Sequence, residues 1–223
     1  MKTFGEQAAE YLCNIEIPAI PREFDVLTPF ENQQVQELIH RFYTKYFNDS
    51  NSRTFLFGIN PGRFGSGRTG IGFTDPIILN QLGFQNDLEQ RSELSATYVY
   101  ELIEYMGGIE WFYQHFYISA MSPVGYLKDG VNINYYDDKA LQASLEDYMV
   151  RQIELQLEFG ANRKKAISVG KGKNFAFLSK LNKKHGWFHE IDHIPHPRYV
   201  MQYRRKQKPE IIDQSAKVLL SSL

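Results

Sequence analysis

The chain has 223 residues and a single cysteine, Cys13. One thiol cannot close an internal disulfide or furnish a multi-cysteine zinc or iron–sulfur site, so the natural compartment is a reducing one and Cys13 reads as a small core residue. No run reaches the roughly 18 apolar residues of a membrane span. The opening MKTFGEQAAEYLC lacks the apolar centre of a signal peptide. An intracellular, cytoplasmic protein is expected. No polar low-complexity tract, internal repeat or linker interrupts the chain, which predicts one domain over residues 1–223. Acidic residues are scarce in one region only. Residues 161–208 hold 13 Lys and Arg against Glu190 and Asp192, whereas residues 1–160 hold 11 against 22 Asp and Glu. The stretches NRKK, GKGK, LNKKHG and YRRKQK suit a polyphosphate partner such as nucleic acid, or else a set of solvated lysines on helix surfaces.

What is present organises simply. Apolar residues at helical spacing predict helices over 32–47, 97–108, 137–160 and 173–184, and compact apolar runs predict strands over 54–60, 115–123, 165–170 and 187–194. Helices alternating with short buried strands argue for an α/β fold with a mostly parallel sheet covered on both faces. Ligands of such sheets bind at the carboxyl ends of the strands. Three loops leave those ends: GINPGRFGSGRTGIGF (58–73), AMSPVGYLKDGVNI and HIPHPRYVMQYRRK.

The first loop holds six of the sixteen glycines. Gly65 to Gly70 spells a dinucleotide-binding pattern, and Gly62 to Thr69 nearly spells a P-loop with Arg68 where lysine belongs. Both need a helix that begins inside the motif, because its first amides hold the phosphates. Gly70, Gly72 and Pro76 predict no helix before about PIILNQLGF.

Taken with its strand, the loop resembles the first motif of the uracil-DNA glycosylase superfamily, in the form of the single-strand-selective monofunctional (SMUG) family. The residues that carry the resemblance are Gly58, Asn60, Pro61, Gly62, Phe64, Gly65, Thr69, Gly70 and Phe73. Further on, AISVGKGKNFAFLSKL resembles the family's third strand and helix, and His196-Pro197-Arg198 its histidine-proline motif. Departures suggest a divergent bacterial branch. The resemblance implies a three-layer α/β/α domain with a central, mostly parallel four-stranded sheet. It further implies a monofunctional DNA glycosylase of base excision repair that needs no metal or cofactor; a monomer is the simplest expectation. Its DNA partner would carry a deaminated base in one or two strands.

By the same resemblance Asn60 orients the attacking water and His196 donates to O2 of the leaving base, with His193 as the competing histidine; His189 reads as a strand residue. Phe73 would stack on the flipped base, Ile59 and Gly62 would meet it through backbone, and Gly62 would leave room for 5-substituted uracils. The family's base-reading asparagine falls at Ala120, after Ser119, so the bidentate reader is missing. A broader range including hypoxanthine, xanthine and 5-hydroxymethyluracil is expected. Asn132 has a minor structural or pocket role. Arg63, Gly65, Arg198, Tyr199, Arg204 and Arg205 are expected to contact DNA, with Lys206 among the phosphate binders and Tyr199, Met201 and Tyr203 as base-stacking or wedge candidates, unless 197–206 is only an amphipathic surface helix. The remaining alternatives are a phosphotransferase using the near P-loop and a non-catalytic nucleic-acid-binding module.

Overall fold

The computed structural model describes residues 2–223. In chain order the elements are α1 (Phe4–Cys13), β1 (Asp25–Leu27), α2 (Gln33–Tyr46), β2 (Thr54–Gly58), α3 (Ser66–Thr69), α4 (Pro76–Gln81), α5 (Leu94–Tyr105), α6 (Ile109–His115), β3 (Phe116–Ala120), β4 (Gly125–Lys128), β5 (Val131–Ile133), α7 (Lys139–Leu157), β6 (Lys165–Val169), α8 (Lys173–His185), β7 (Glu190–Ile194), α9 (Pro197–Tyr203) and α10 (Lys208–Leu220). Side-chain caps mark several helix starts, as Asn32 does for α2 by accepting the N–H groups of Gln34 and Val35, and Asp138 for α7.

β3, β2, β6 and β7 form the central sheet in that order, and every neighbour is parallel. Each residue of β2 is buried, as a strand covered on both faces requires. The pairing of Phe57 with Ser119 and of Gly58 with Ala120 places Phe55, Phe57, Tyr117 and Ser119 on one face. That face meets α1 through Phe4, whose ring lies 5.2 Å from that of Tyr117, and α7 through Gln156. Across the other face runs the return of the glycine loop, with Gly72 against Ile118 and the Phe73 ring against Gly58. The expected α/β/α layering with its four-stranded parallel sheet is what forms. The second carboxyl-end loop folds further than expected, because β4 and β5 make an antiparallel hairpin that β1 extends into a second small sheet. Residues 197–203 are helical, as α9, which starts immediately after β7 and so brings its first turn to the sheet's carboxyl edge.

Candidate active site

The loop after β2 makes one helical turn, α3, ahead of the Pro76 helix where the first was expected. It stops at Gly70, whose φ of 70° is the left-handed cap that glycine adopts freely. Three amides of this turn bond inside the loop. The N–H of Gly67 donates to the carbonyl of Gly62 at 3.0 Å, and those of Arg68 and Thr69 donate to the carbonyl of Gly65 at 2.8 and 3.2 Å. Phosphate recognition by a P-loop depends on such amides being free. Here the amides of Gly67, Arg68 and Thr69 hold the loop's own shape instead.

Asn60 stands just past β2 with its carboxamide fixed at both ends. Its Oδ1 accepts the N–H of Tyr135 at 3.0 Å, and its Nδ2 donates to the carbonyl of Ile133 at 3.2 Å. Tyr135 is fully buried, and its hydroxyl donates to Oδ1 of Asn174 at 3.0 Å. Asn174, also buried, donates in turn to the carbonyl of Phe57 at 3.0 Å. The chain of bonds runs from α8 to the end of β2 and locks the orientation of Asn60. An amide oxygen has two lone pairs, so Oδ1 keeps one for a water.

A cavity of about 1010 Å³ opens over these strand ends, and Ile59, Asn60, Gly62, Phe73, Ala120 and His196 all line it. Phe73 has a φ of 49°, a conformation that strains a bulky residue by about 1–3 kcal/mol. Its N–H donates to Ser66 Oγ at 3.2 Å, and its ring lies 6.1 Å from the His196 ring at a steep angle. His196 caps α9: Nδ1 accepts the N–H of Arg198 at 3.2 Å. Burial, helped by the Arg198 charge, pushes its pKa down to about 4. At neutral pH the ring is therefore uncharged, Nδ1 is the acceptor, and the proton is on Nε2. That fixes a neutral N–H donor at the cavity. His193 sits in β7 with its ring 4.8 Å from Phe175, and neither it nor the exposed His189 lines the cavity.

A glycine-loop asparagine, a phenylalanine at positive φ and a buried histidine now share one cavity at the carboxyl edge of a parallel sheet. The model of the uracil DNA glycosylase superfamily matches residues 44–219. The chain belongs to that superfamily. It is similar to SMUG2 of Pedobacter heparinus, whose wild-type crystal structure it matches with 35% identity over 99% of this chain and 98% of that one, at a TM-score of 0.95. No curated protein sequence matches it. The chain is thus a SMUG-type DNA glycosylase, a hydrolase of N-glycosidic bonds whose substrate is DNA.

The other expected residues of this glycosylase divide. Ala120 offers only a methyl group, and the Ser119 hydroxyl is engaged by Oε1 of Gln156. Asn132 accepts the Arg63 N–H at 3.2 Å, and the Arg63 guanidinium donates to the carbonyl of Gly130 at 2.8 Å, so this arginine is exposed yet tied to the hairpin. Exposed Arg198 and Tyr199 lie at the rim, with Tyr203 beside them and the Arg204 Nε donating to the Tyr199 hydroxyl at 3.0 Å. Arg204 and Arg205 are exposed but do not line the cavity. Two readings need correction. Met201 is only 7% exposed and packs in the core, because it lies one turn after buried Pro197 on the inner face of α9. Gly65 is buried and outside the cavity lining, so it does not face DNA; the carboxyl of Glu93 lies against it. Lys171 and Lys173, the two lysines of the GKGK stretch, are exposed at the rim and add cations to it.

Glu93, which sequence reasoning missed, has its pKa raised to about 7, first by burial and then by the charge of Asp75, with Arg198 acting in the opposite direction. The folded chain therefore binds more protons than the unfolded one between about pH 4.5 and 7, and the stability gained from the protonated form is lost as pH rises through about 7. Glu93→Gln should be more stable than the wild type at pH 8, by on the order of 1–3 kcal/mol, and close to it at pH 5. Urea midpoints at the two pH values check this; equal midpoints at pH 8 would contradict it.

Proposed function

We propose that this glycosylase flips uracil, hypoxanthine, xanthine and 5-hydroxymethyluracil out of DNA, cleaves their glycosidic bonds and leaves an abasic site in an unbroken strand, for base excision repair. The observation that carries this reading is His196 itself, which lines the cavity with its Nδ1 occupied by the α9 amide, leaving Nε2 as the ring's donor. Bond cleavage builds oxocarbenium character on the sugar and negative charge on the base. A neutral imidazole can donate to that developing anion without carrying it away as a fixed ion pair, and donors of this kind contribute roughly 10²–10³ in rate. Asn60 cannot accept a proton from water, so bond breaking runs ahead of water attack. Its fixed amide holds the water for the cation that forms.

Specificity follows from what the walls omit. Gly62 brings no side chain, Ala120 brings a methyl group, and the nearby Ser119 hydroxyl already bonds Gln156. No carboxamide at position 120 penalises a base that lacks the uracil edge, since rejection comes from polar groups left unpaired. Phe73 contributes π contact, which any base satisfies. Single-turnover excision from oligonucleotides bearing each base, single- and double-stranded, tests the range. The expected result is release of all four bases, with strand breaks only after alkali. Strict uracil preference, with hypoxanthine and xanthine slower by more than about 10⁴-fold, would overturn the broad range.

A further inference from the structure

Among the described residues Glu93 is the only carboxylic acid that lines the cavity. It occupies the N-cap position of α5, yet its side chain makes no capping bond. Its oxygens instead enter the glycine loop. Oε1 is 3.3 Å from where a β-carbon on Gly62 would lie, and Oε2 is 1.8 Å from the corresponding point on Gly65. The space that Gly62 leaves open is therefore partly filled by this carboxyl. Gly65 has to be glycine because Glu93 approaches so closely. Among the described residues neither oxygen has a hydrogen-bond partner. Asp75, at the start of α4, and Arg198, of α9, are the charges that act on it; the Arg91 guanidinium two residues earlier lies over the Phe64 ring at 3.7 Å, and the glycine loop's own cations are engaged elsewhere, Arg63 with the Gly130 carbonyl and Arg68 with Glu89. With its pKa near 7, the group holds a proton in a large fraction of molecules at neutral pH.

We propose that Glu93 is the general acid for deaminated purines, delivering its proton to N7 of hypoxanthine or xanthine as the C1′–N9 bond breaks. This rests on the proposed function, in which His196 meets O2 of a pyrimidine. The purine atom at that edge is N3, and N7 lies across the glycosidic nitrogen, on the edge turned away from His196 towards the glycine loop. Protonation there draws electrons out of the glycosidic bond. The bonding pair goes to N9, the Glu93 proton goes to N7, and the base leaves neutral. Water held at Asn60 adds to C1′, and the proton it sheds returns to the Glu93 carboxylate. Uracil presents C5 and C6 at this edge. Neither carbon has a lone pair to protonate, so uracil depends on His196 alone.

The decisive readout is the ratio of hypoxanthine to uracil excision in single turnover between pH 5.5 and 8.5. In the wild type hypoxanthine excision should fall about tenfold per pH unit above pH 7 while uracil excision does not follow it. Glu93→Gln should lower the ratio at pH 6 by about 10²-fold or more, the scale of general-acid catalysis, and remove the pH dependence. Gly65→Ala, whose new methyl would displace the carboxyl without deleting it, should shift the ratio the same way. Wild-type excision of 7-deazahypoxanthine should match that of hypoxanthine by Glu93→Gln. If uracil is excised but the ratio is unchanged in Glu93→Gln, or hypoxanthine excision is flat through pH 7, the proposal is overturned. If the wild type does not excise uracil, the reading beneath it fails instead.

Discussion

His196→Ala is expected to lower single-turnover uracil excision by about 10²–10³-fold, the usual cost of removing one donor aimed at developing negative charge. The effect should be large because neither of the two residues that share the centre of the site with it can take over the donation. Phe73 contributes a π face, and Asn60 is committed to backbone partners. The substitution also removes the cap of α9, which costs roughly 1 kcal/mol of stability, so a second variant separates catalysis from folding. His196→Asn retains a side-chain oxygen that can accept the Arg198 N–H, and asparagine is a strong cap. Its melting temperature should stay near the wild type while its rate stays low. The pH profile gives a further check. Because His196 titrates near 4, wild-type uracil excision should not change as pH falls from 7.5 to 5.5, across the range where an ordinary histidine gains its proton. A step near pH 6.5 would show that the ring is not held neutral.

Asn60→Ala is expected to cost at least about 10²-fold in the same assay, with a loss of stability of about 1–3 kcal/mol from the unpaired Tyr135 N–H and Ile133 carbonyl. Asn60→Asp is the more informative change. A carboxylate at this position could in principle act as a base towards the water. In this site one of its oxygens would replace Nδ2, which now donates to the Ile133 carbonyl at 3.2 Å. Two acceptors would then face each other, and the acid would be destabilised in its charged form. The expected outcome is an enzyme no faster than the wild type and less stable. A rate gain on uracil would mean that the clamp yields, and that the fixed amide is not what sets the position of the water.

Much of this was legible in the residues themselves. The apolar run before the glycine loop had to be a buried strand, Asn60 was the polar side chain at its end, and the proline after His196 matched the family's histidine-proline motif. Periodicity placed α2, α5, α7 and α8 within a few residues of their ends. Local pattern could not place residues whose role depends on a partner far along the chain. Glu93 lies in the polar stretch DLEQRSELSA, where a carboxylate before a helix is ordinary, and its meaning comes from Gly62 and Gly65. Nothing local ties Tyr135 or Asn174 to Asn60, which Tyr135 meets through its N–H and Asn174 supports only through the Tyr135 hydroxyl. Gly65 was assigned to DNA because a loop glycine fits a close backbone approach of either kind, to a ligand or to a neighbouring side chain. β4 and β5 are too short, at four and three residues, to show the alternation of a hairpin.

One measurement bears on the central claim most directly. Wild-type protein in excess is incubated with a single-stranded oligonucleotide containing one uracil, in chelator, and both free uracil and strand length are followed before and after alkali. Stoichiometric uracil release with the strand intact until alkali is the predicted result, reduced together in Asn60→Ala and His196→Ala. Bound DNA with no uracil released, or release that persists unchanged in both variants, would contradict the site described here.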